Sequence, residues 1–337
     1  MKPIDKIQLS IIIAVYQRKD ELSELLKSLT SQTCKNFEVI VVDDGSPDSL
    51  EETVNQFSKE LNLLYYYKTN SGPGLSRNFG MSKANGNYFI FLDSDTLIPS
   101  NYICEVLKEL DQDYVDFYGG SDNAHTTFNA LQKAINFSMT SFLTTGGVRG
   151  GTQKVNNFQP RSFNMGISRK AYHKTNGFSD LRIGEDPDLS MTLWEKGFKS
   201  RWFPKAFVFH KRRTSLSKFF HQVKGFGIAR PILNQRHPKY SALTFWFPSL
   251  FLLGMLFSIL FASLGFNLFL LLYLCYFLLI YIISSFENKS IVVGALSIVT
   301  TFLQFTGYGL GFILSQFKLN ILGQNPKKAF PNHFYNQ

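Results

Sequence analysis

Cysteine is scarce in this chain of 337 residues: there are three, at positions 34, 104 and 275. No two form a Cys-x-x-Cys pair, which excludes a zinc ribbon or thioredoxin-like motif, and spacings this wide suggest no disulfide framework. The water-soluble part is therefore expected in a reducing compartment. Charge is scarce in one region only. From residue 241 onward the ionised side chains are Glu287, Lys289, Lys318, Lys327 and Lys328, whereas the first 240 residues carry 31 Lys or Arg and 24 Asp or Glu. A charge-poor tail behind a water-soluble front is a membrane-protein pattern. Acids are missing altogether between 196 and 239, where twelve Lys or Arg fall. With 45% hydrophobic and 15% aromatic residues, disorder is excluded. The apolar stretch 7–16 is short and β-branched, and Gln17-Arg18-Lys19-Asp20 follows it without a small-residue cleavage site. It reads as a buried strand, not a signal peptide.

Short β-branched or aromatic runs at 9–15, 37–42, 63–67, 88–92 and 115–118 predict strands. Helical patterns lie between them at 21–29, where Leu22, Leu25, Leu26 and Leu29 share a face, and at 49–61. Such alternation predicts an α/β fold with a mostly parallel sheet covered on both faces, with ligands beyond the carboxyl ends of the strands. A less regular section over 121–239, with turn signals at Thr145-Gly146-Gly147, Gly150-Gly151 and Asn176-Gly177, reads as the other half of the same cleft. Three apolar segments, 243–264, 266–284 and 291–317, are each long enough to cross a bilayer. Just before them, residues 216–228 mix Phe219, Phe220, Val223, Phe226 and Ile228 with Lys218, His221 and Lys224, the composition of a helix lying on an anionic membrane surface. Its position beside the membrane argues against nucleic-acid binding. Positive-inside logic puts the front in the cytoplasm, as part of a multi-pass protein of the cell (inner) membrane. Three full crossings conflict with that rule, because Lys318, Lys327 and Lys328 would end outside. Either the front dominates, or one segment is a re-entrant hairpin broken at Gly307, Gly309 and Gly311. The resulting domain boundaries are 1–213 for the catalytic front, 214–240 for the interfacial region, 241–317 for the spans and 318–337 for the tail.

Three acidic motifs carry chemistry. Asp93-Ser94-Asp95 ends an apolar strand, and burying neighbouring negative charges demands positive compensation. Mg²⁺ or Mn²⁺, which take oxygen ligands and also hold substrate phosphates, suit such a pair. Asp43-Asp44-Gly45-Ser46 closes a second strand, where a carboxylate accepts hydrogen bonds from a nucleobase or ribose or caps the next helix. Glu185-Asp186-Pro187-Asp188 opens a helix; these acids either complement its N-terminus or supply a base for a hydroxyl nucleophile. Arg77 and Asn78 follow the glycine pair of 70–74, which matches neither standard phosphate-loop spacing. The three sites are compatible with a sugar nucleotide: base, diphosphate on metal, then acceptor.

In order along residues 9–210, LSIIIAVYQRKDELSELLKSLTSQT, FEVIVVDDGSPD, NSGPGLSRNFGM, YFIFLDSDTLIP, FNMGISRKAYHKTNGF and GEDPDLSMTLWEKGF resemble a family 2 glycosyltransferase of GT-A fold, the Rossmann-like nucleotide-diphospho-sugar transferase fold, here followed by an all-α transmembrane segment. The resemblance implies inverting, metal-dependent transfer from a nucleoside diphosphate sugar, with a UDP-sugar the leading expectation. By the same carry-over Asp44 contacts the base, with Asp43, Ser94, Arg77 and Asn78 nearby. Asp95 is the chief metal ligand with Asp93 assisting and His210 a further ligand, and Asp186 in the Glu185-Asp186 pair is the general base. Where many relatives carry Thr or Pro and a final Asn, this chain has Ala14-Val15-Tyr16-Gln17; contacts from Ala14 and Tyr16 to the nucleotide are expected on the family pattern alone. A processive polysaccharide synthase is disfavoured because no Gln-x-x-Arg-Trp motif follows Asp186 and no apolar span precedes the front. Transfer to a lipid-linked or saccharide acceptor in cell-surface glycan or glycolipid synthesis is favoured. A silent nucleotide-fold scaffold is disfavoured because every expected acid is present.

Overall fold

The computed structural model describes residues 7–123, 128–146, 158–210 and 214–335, apart from the side chains of Asn123 and His210. The signals at Gly147 and Gly150-Gly151 lie outside the described residues. Two compact units emerge, one formed by 1–123, 153–211 and 334–337, the other by 124–152 and 212–333.

The first unit is built on strands β1 (Leu9–Val15), β2 (Phe37–Asp43), β3 (Asn62–Tyr67), β4 (Tyr88–Leu92), β5 (Thr96–Leu97), β6 (Phe117–Asn123), β7 (Asn164–Ser168) and β8 (Ser200–His210). They form one mixed sheet in the order β3-β2-β1-β4-β7-β6-β8-β5. The β1–β4 half is parallel, with Val15 opposite Asp43, and β7 runs antiparallel to both β4 and β6. Successive side chains of a strand point to opposite faces. Ile11, Ile13, Val39, Val41, Ile90 and Leu92 therefore pack on one side, beneath the leucine face of helix α1 (Lys19–Thr30). Ile12, Ile40, Val42, Phe89 and Phe91 pack on the other with Met165, Ile167 and Leu189. Burial on both faces explains why these strands read as continuous apolar runs. The helix expected over 49–61 shrinks to α2 (Glu51–Asn55), since only Leu50, Thr53, Val54 and Leu61 are buried there and no apolar stripe sustains further turns. β6 runs past the expected 115–118 into Gly119-Gly120-Ser121-Asp122, residues of poor strand propensity aligned by pairing with β8.

Cys34 and Cys104 are joined by a disulfide, with Cα atoms 5.4 Å apart. This corrects the expectation of no bridge: 70 residues separate them in sequence, and the fold brings the chain after α1 beside helix α4 (Tyr102–Gln112). The inference of a reducing compartment loses its basis. Three further helices belong to this unit, α3 (Pro73–Lys83), α7 (Arg169–Thr175) and α8 (Glu185–Glu195), whereas α5 (Ala130–Thr140) and α6 (Phe142–Thr145) belong to the second.

The second unit contains α5, α6, α9 (Leu216–Arg236), α10 (Phe247–Ser263), α11 (Leu268–Asn288) and α12 (Ile291–Gln316). Among the described residues three helices are long and apolar enough to cross a membrane: Leu243–Ser263, Leu268–Asn288 and Ile291–Ile321. The segment over α5 and α6, read from sequence as part of the catalytic front, packs on these helices through Ser138 Oγ to Thr300 Oγ1 at 2.6 Å and Tyr276 Oη to the Leu143 carbonyl at 3.0 Å. Interhelical hydroxyl contacts of this kind join apolar helices where hydrophobic burial drives no association. α9 is not simply laid on a surface, because Phe219, Val223, Gly227 and Ile232 are buried within the unit. α12 runs unbroken through Gly307, Gly309 and Gly311, which corrects their reading as a hairpin break. The missing side chains admit neighbours instead: a Cβ on Gly311 would stand 2.3 Å from the Lys224 carbonyl, and one on Gly309 2.9 Å from that of Pro248. The start of α10 lies against the C-terminal half of α12, with Ser249 Oγ donating to the Gly309 carbonyl at 3.2 Å and Trp246 edge-on to Phe312.

Gly311→Val is expected to destabilise the helical unit by about 1–3 kcal/mol, the usual cost of overpacking against backbone that cannot yield. Thermal unfolding in detergent, with Val292→Ala on the exposed side of α12 as control, measures it.

Candidate functional site

Because β1, β2 and β4 are parallel, their carboxyl ends emerge on one edge, and the first two acidic motifs meet there with the chain that leaves β1. Arg18, just beyond that strand, pairs with Asp95 Oδ2. Arg77 of α3 places Nη2 2.6 Å from Asp93 Oδ1 and Nη1 3.3 Å from Glu185 Oε1. Its guanidinium also lies over the Phe178 ring, 5.2 Å from the centroid. Arg77 is buried, and its charge is tolerable there because two carboxylates face it. Asp186 is paired with Arg161 at 3.5 Å. Arginines reaching both acids from other elements make the start of α8 more than a charge-complemented helix end.

The remaining expected residues fall into supporting positions. Asp43 accepts from the Ser46 amide at 2.9 Å and the Tyr65 hydroxyl at 2.8 Å. Asp44 Oδ1 accepts from Lys68 Nζ at 2.9 Å and from the Ser71 amide and Ser76 hydroxyl at 2.8 Å, while Oδ2 accepts from the Gly72 amide at 2.7 Å. Its carboxylate thus shapes the turn that enters α3. Asn78 holds Phe178 at both ends of its peptide, Nδ2 to the carbonyl and the amide to Oδ1, each at 2.8 Å. The turn before Phe178 needs glycine, since Gly177 has φ +77° and a Cβ there would meet Asn78 Oδ1 at 2.2 Å. Ser94 is buried, Tyr16 is exposed, and Ala14 sits in β1 opposite Val42. His210 pairs through its backbone with Thr96, and its side chain lies outside the described residues.

Sequence reasoning missed Arg18, Lys68, Arg161, Phe178 and Tyr335. Arg18 sits only three residues past β1, a usable signal, but nothing local marks the others. Tyr335 is 8% exposed, beside Gly72 and Gly74 of the α3 entry.

Among the described residues no group of three or more His, Cys, Asp or Glu gathers as a ready metal cage. Asp93 and Asp95 nevertheless offer two hard carboxylates at one strand end. That donor set fits a cation such as Mg²⁺, which keeps waters and draws further ligands from phosphate. Arg77 and Arg18 compensate these charges as the site stands.

Residues 10–175 match the profile of Glycosyl transferase family 2. The chain carries a family 2 glycosyltransferase domain. A Rickettsia conorii protein described as an uncharacterized glycosyltransferase is 34% identical over 147 residues, covering 43% of this chain and 23% of its own. The Campylobacter jejuni GalNAc(5)-diNAcBac-PP-undecaprenol beta-1,3-glucosyltransferase is 23% identical over 60% of this chain and 64% of its own. The chain thus matches about a quarter of the first relative's length. Its fold resembles that of a mannosyltransferase from Pyrobaculum calidifontis solved with GDP-Man and Mn²⁺, with TM-score 0.52 and 17% identity over 68% of this chain and 65% of that one. The GT-A architecture expected of the front is therefore present, followed by the apolar helices.

Burial, reinforced by the adjacent Asp186 charge and opposed by Arg77, pushes the Glu185 carboxyl from 4.5 up to about 7. A raised folded pKa means that the stability it contributes is fully present below about pH 4.5 and lost as pH rises through 7. Glu185→Gln is expected to unfold at a higher temperature than the parent above pH 7, by the equivalent of roughly 1–3 kcal/mol, with the difference vanishing near pH 4. Melting curves across that range check it.

Proposed function

We propose that the protein is a membrane-anchored, inverting glycosyltransferase that moves a sugar from a nucleoside diphosphate donor to a lipid-linked acceptor. The observation that carries this reading is the bridge made by Arg77: one guanidinium joins the acid pair suited to a diphosphate-bound cation with the acid pair suited to the acceptor. Donor and acceptor chemistry then meet within one cleft. Asp93 and Asp95 would hold Mg²⁺ or Mn²⁺, which when bound screens charge on the departing diphosphate. Asp186 takes the proton of the acceptor hydroxyl as its oxygen attacks the anomeric carbon, and the bond from that carbon to the diphosphate breaks on the opposite face. Arg77 holds Glu185 beside it, and Asp44 keeps the nucleotide-side turn in shape through Lys68, Ser71, Gly72 and Ser76.

The name of the Campylobacter relative, which specifies an undecaprenol diphosphate-linked substrate, supports a lipid-linked acceptor. The Mn²⁺ and GDP-Man in the Pyrobaculum structure support a metal-held nucleotide sugar. The basic, acid-free run before the spans supports a cytoplasmic catalytic unit in the cell membrane, independently of the cysteines.

The test uses the full chain in nanodiscs with Mn²⁺ and a panel of UDP- and GDP-sugars, reading nucleoside diphosphate release. Turnover with at least one donor is expected, and silence with all of them defeats the reading in favour of a scaffold. Asp186→Asn should lower turnover by about 10²- to 10⁴-fold with donor affinity nearly unchanged; an active Asn variant would remove the base assignment. Asp95→Ala should abolish the Mn²⁺-dependent part of donor binding in calorimetry. A parent protein whose donor binding ignores Mn²⁺ rules out the metal.

A further inference from the structure

The last described residues of the chain, beyond all three apolar helices, form part of the catalytic unit. Phe334 makes an antiparallel bridge to Leu181, and the Tyr335 amide donates to the Asp180 carbonyl at 2.9 Å. This seats the Tyr335 ring against the entry to α3. A Cβ on Gly72 would stand 1.8 Å from the ring, so only glycine leaves room for it. The Gly74 amide points at the phenol oxygen at 3.5 Å, and the Cβ position of Gly74 is 3.7 Å from both the ring and Glu185 Cγ. Gly72 is the residue whose amide Asp44 holds, and Arg77 lies one turn further along α3. The ring thus packs on the turn that enters α3, with Glu185, Arg77 and Arg182 within its electrostatic reach. Burial, together with the Glu185 charge, raises the phenol above its ordinary range, so it stays protonated.

We propose that Tyr335 is a positioning residue of the transferase cleft: its ring clamps the 70–74 turn and Glu185 in the arrangement in which Arg77 spans Asp93 and Glu185. The cleft is therefore complete only when residues 334–335 are docked on it. Misplacement of a site by about an ångström costs about 100-fold in rate in well-ordered sites. The inference rests on the glycosyltransferase reading for its kinetic arm alone.

The full chain in nanodiscs is compared with Tyr335→Ala and Tyr335→Phe. Tyr335→Ala is expected to lower kcat about 10- to 100-fold with donor KM within about twofold. Tyr335→Phe, which keeps the ring and loses only a long hydrogen bond, should recover most of the parent rate. Amide hydrogen exchange supplies the readout that needs no turnover: amides of 71–76 should exchange faster in the Ala variant and at the parent rate in the Phe variant. Unchanged kcat together with unchanged exchange in Tyr335→Ala overturns the proposal, as does equal loss in both variants. If no donor is turned over by the parent, the glycosyltransferase reading fails, and exchange at 71–76 alone decides the positioning role.

Discussion

A buried guanidinium dictates the arrangement of this cleft. Arg77 cannot shed its charge and cannot sit in the interior without anionic partners, so α3 and the acids it faces are mutually constrained. Asp93 comes from the end of β4 and Glu185 from the start of α8, two elements 92 residues apart in the chain and brought to one point by the sheet. Phe178 beneath the guanidinium adds an aromatic face, and Asn78, the next residue of α3, fixes that phenylalanine by both of its peptide groups. Recognition and scaffolding are therefore divided between adjacent residues on one helix.

The same economy recurs at Asp44. Four donors surround its carboxylate: the Ser71 and Gly72 amides of the turn before α3, the Ser76 hydroxyl in the first turns of α3, and Lys68 just past β3. That carboxylate orders the turn on which Tyr335 rests. In the helical unit the logic inverts. Glycines and small hydroxyl residues along α12 let α5, α9 and α10 approach closely, the packing that suits apolar helices long enough to cross a membrane.

Much of the front was legible from residue order. Strands of the parallel half were recognisable within a residue or two because burial on both faces leaves unbroken apolar runs, and both Asp motifs were marked by their position at strand ends. β7 and the full length of β6 were not, because pairing across the sheet, antiparallel between β6 and β7 and parallel between β6 and β8, orders residues whose own propensities are weak. The cysteines misled for a related reason. Spacing in sequence says nothing about two positions that a sheet and two helices bring to 5.4 Å.

Local pattern by itself determined that this chain has an α/β front, acids at strand tips and three apolar helices, because each is a property of a few consecutive residues. Tertiary structure alone decided which cation meets which acid, that Gly307, Gly309 and Gly311 are contact points on a continuous helix, and that Tyr335 packs on the turn entering α3. Those outcomes depend on distances between residues far apart in sequence, which only the packing of the whole chain sets.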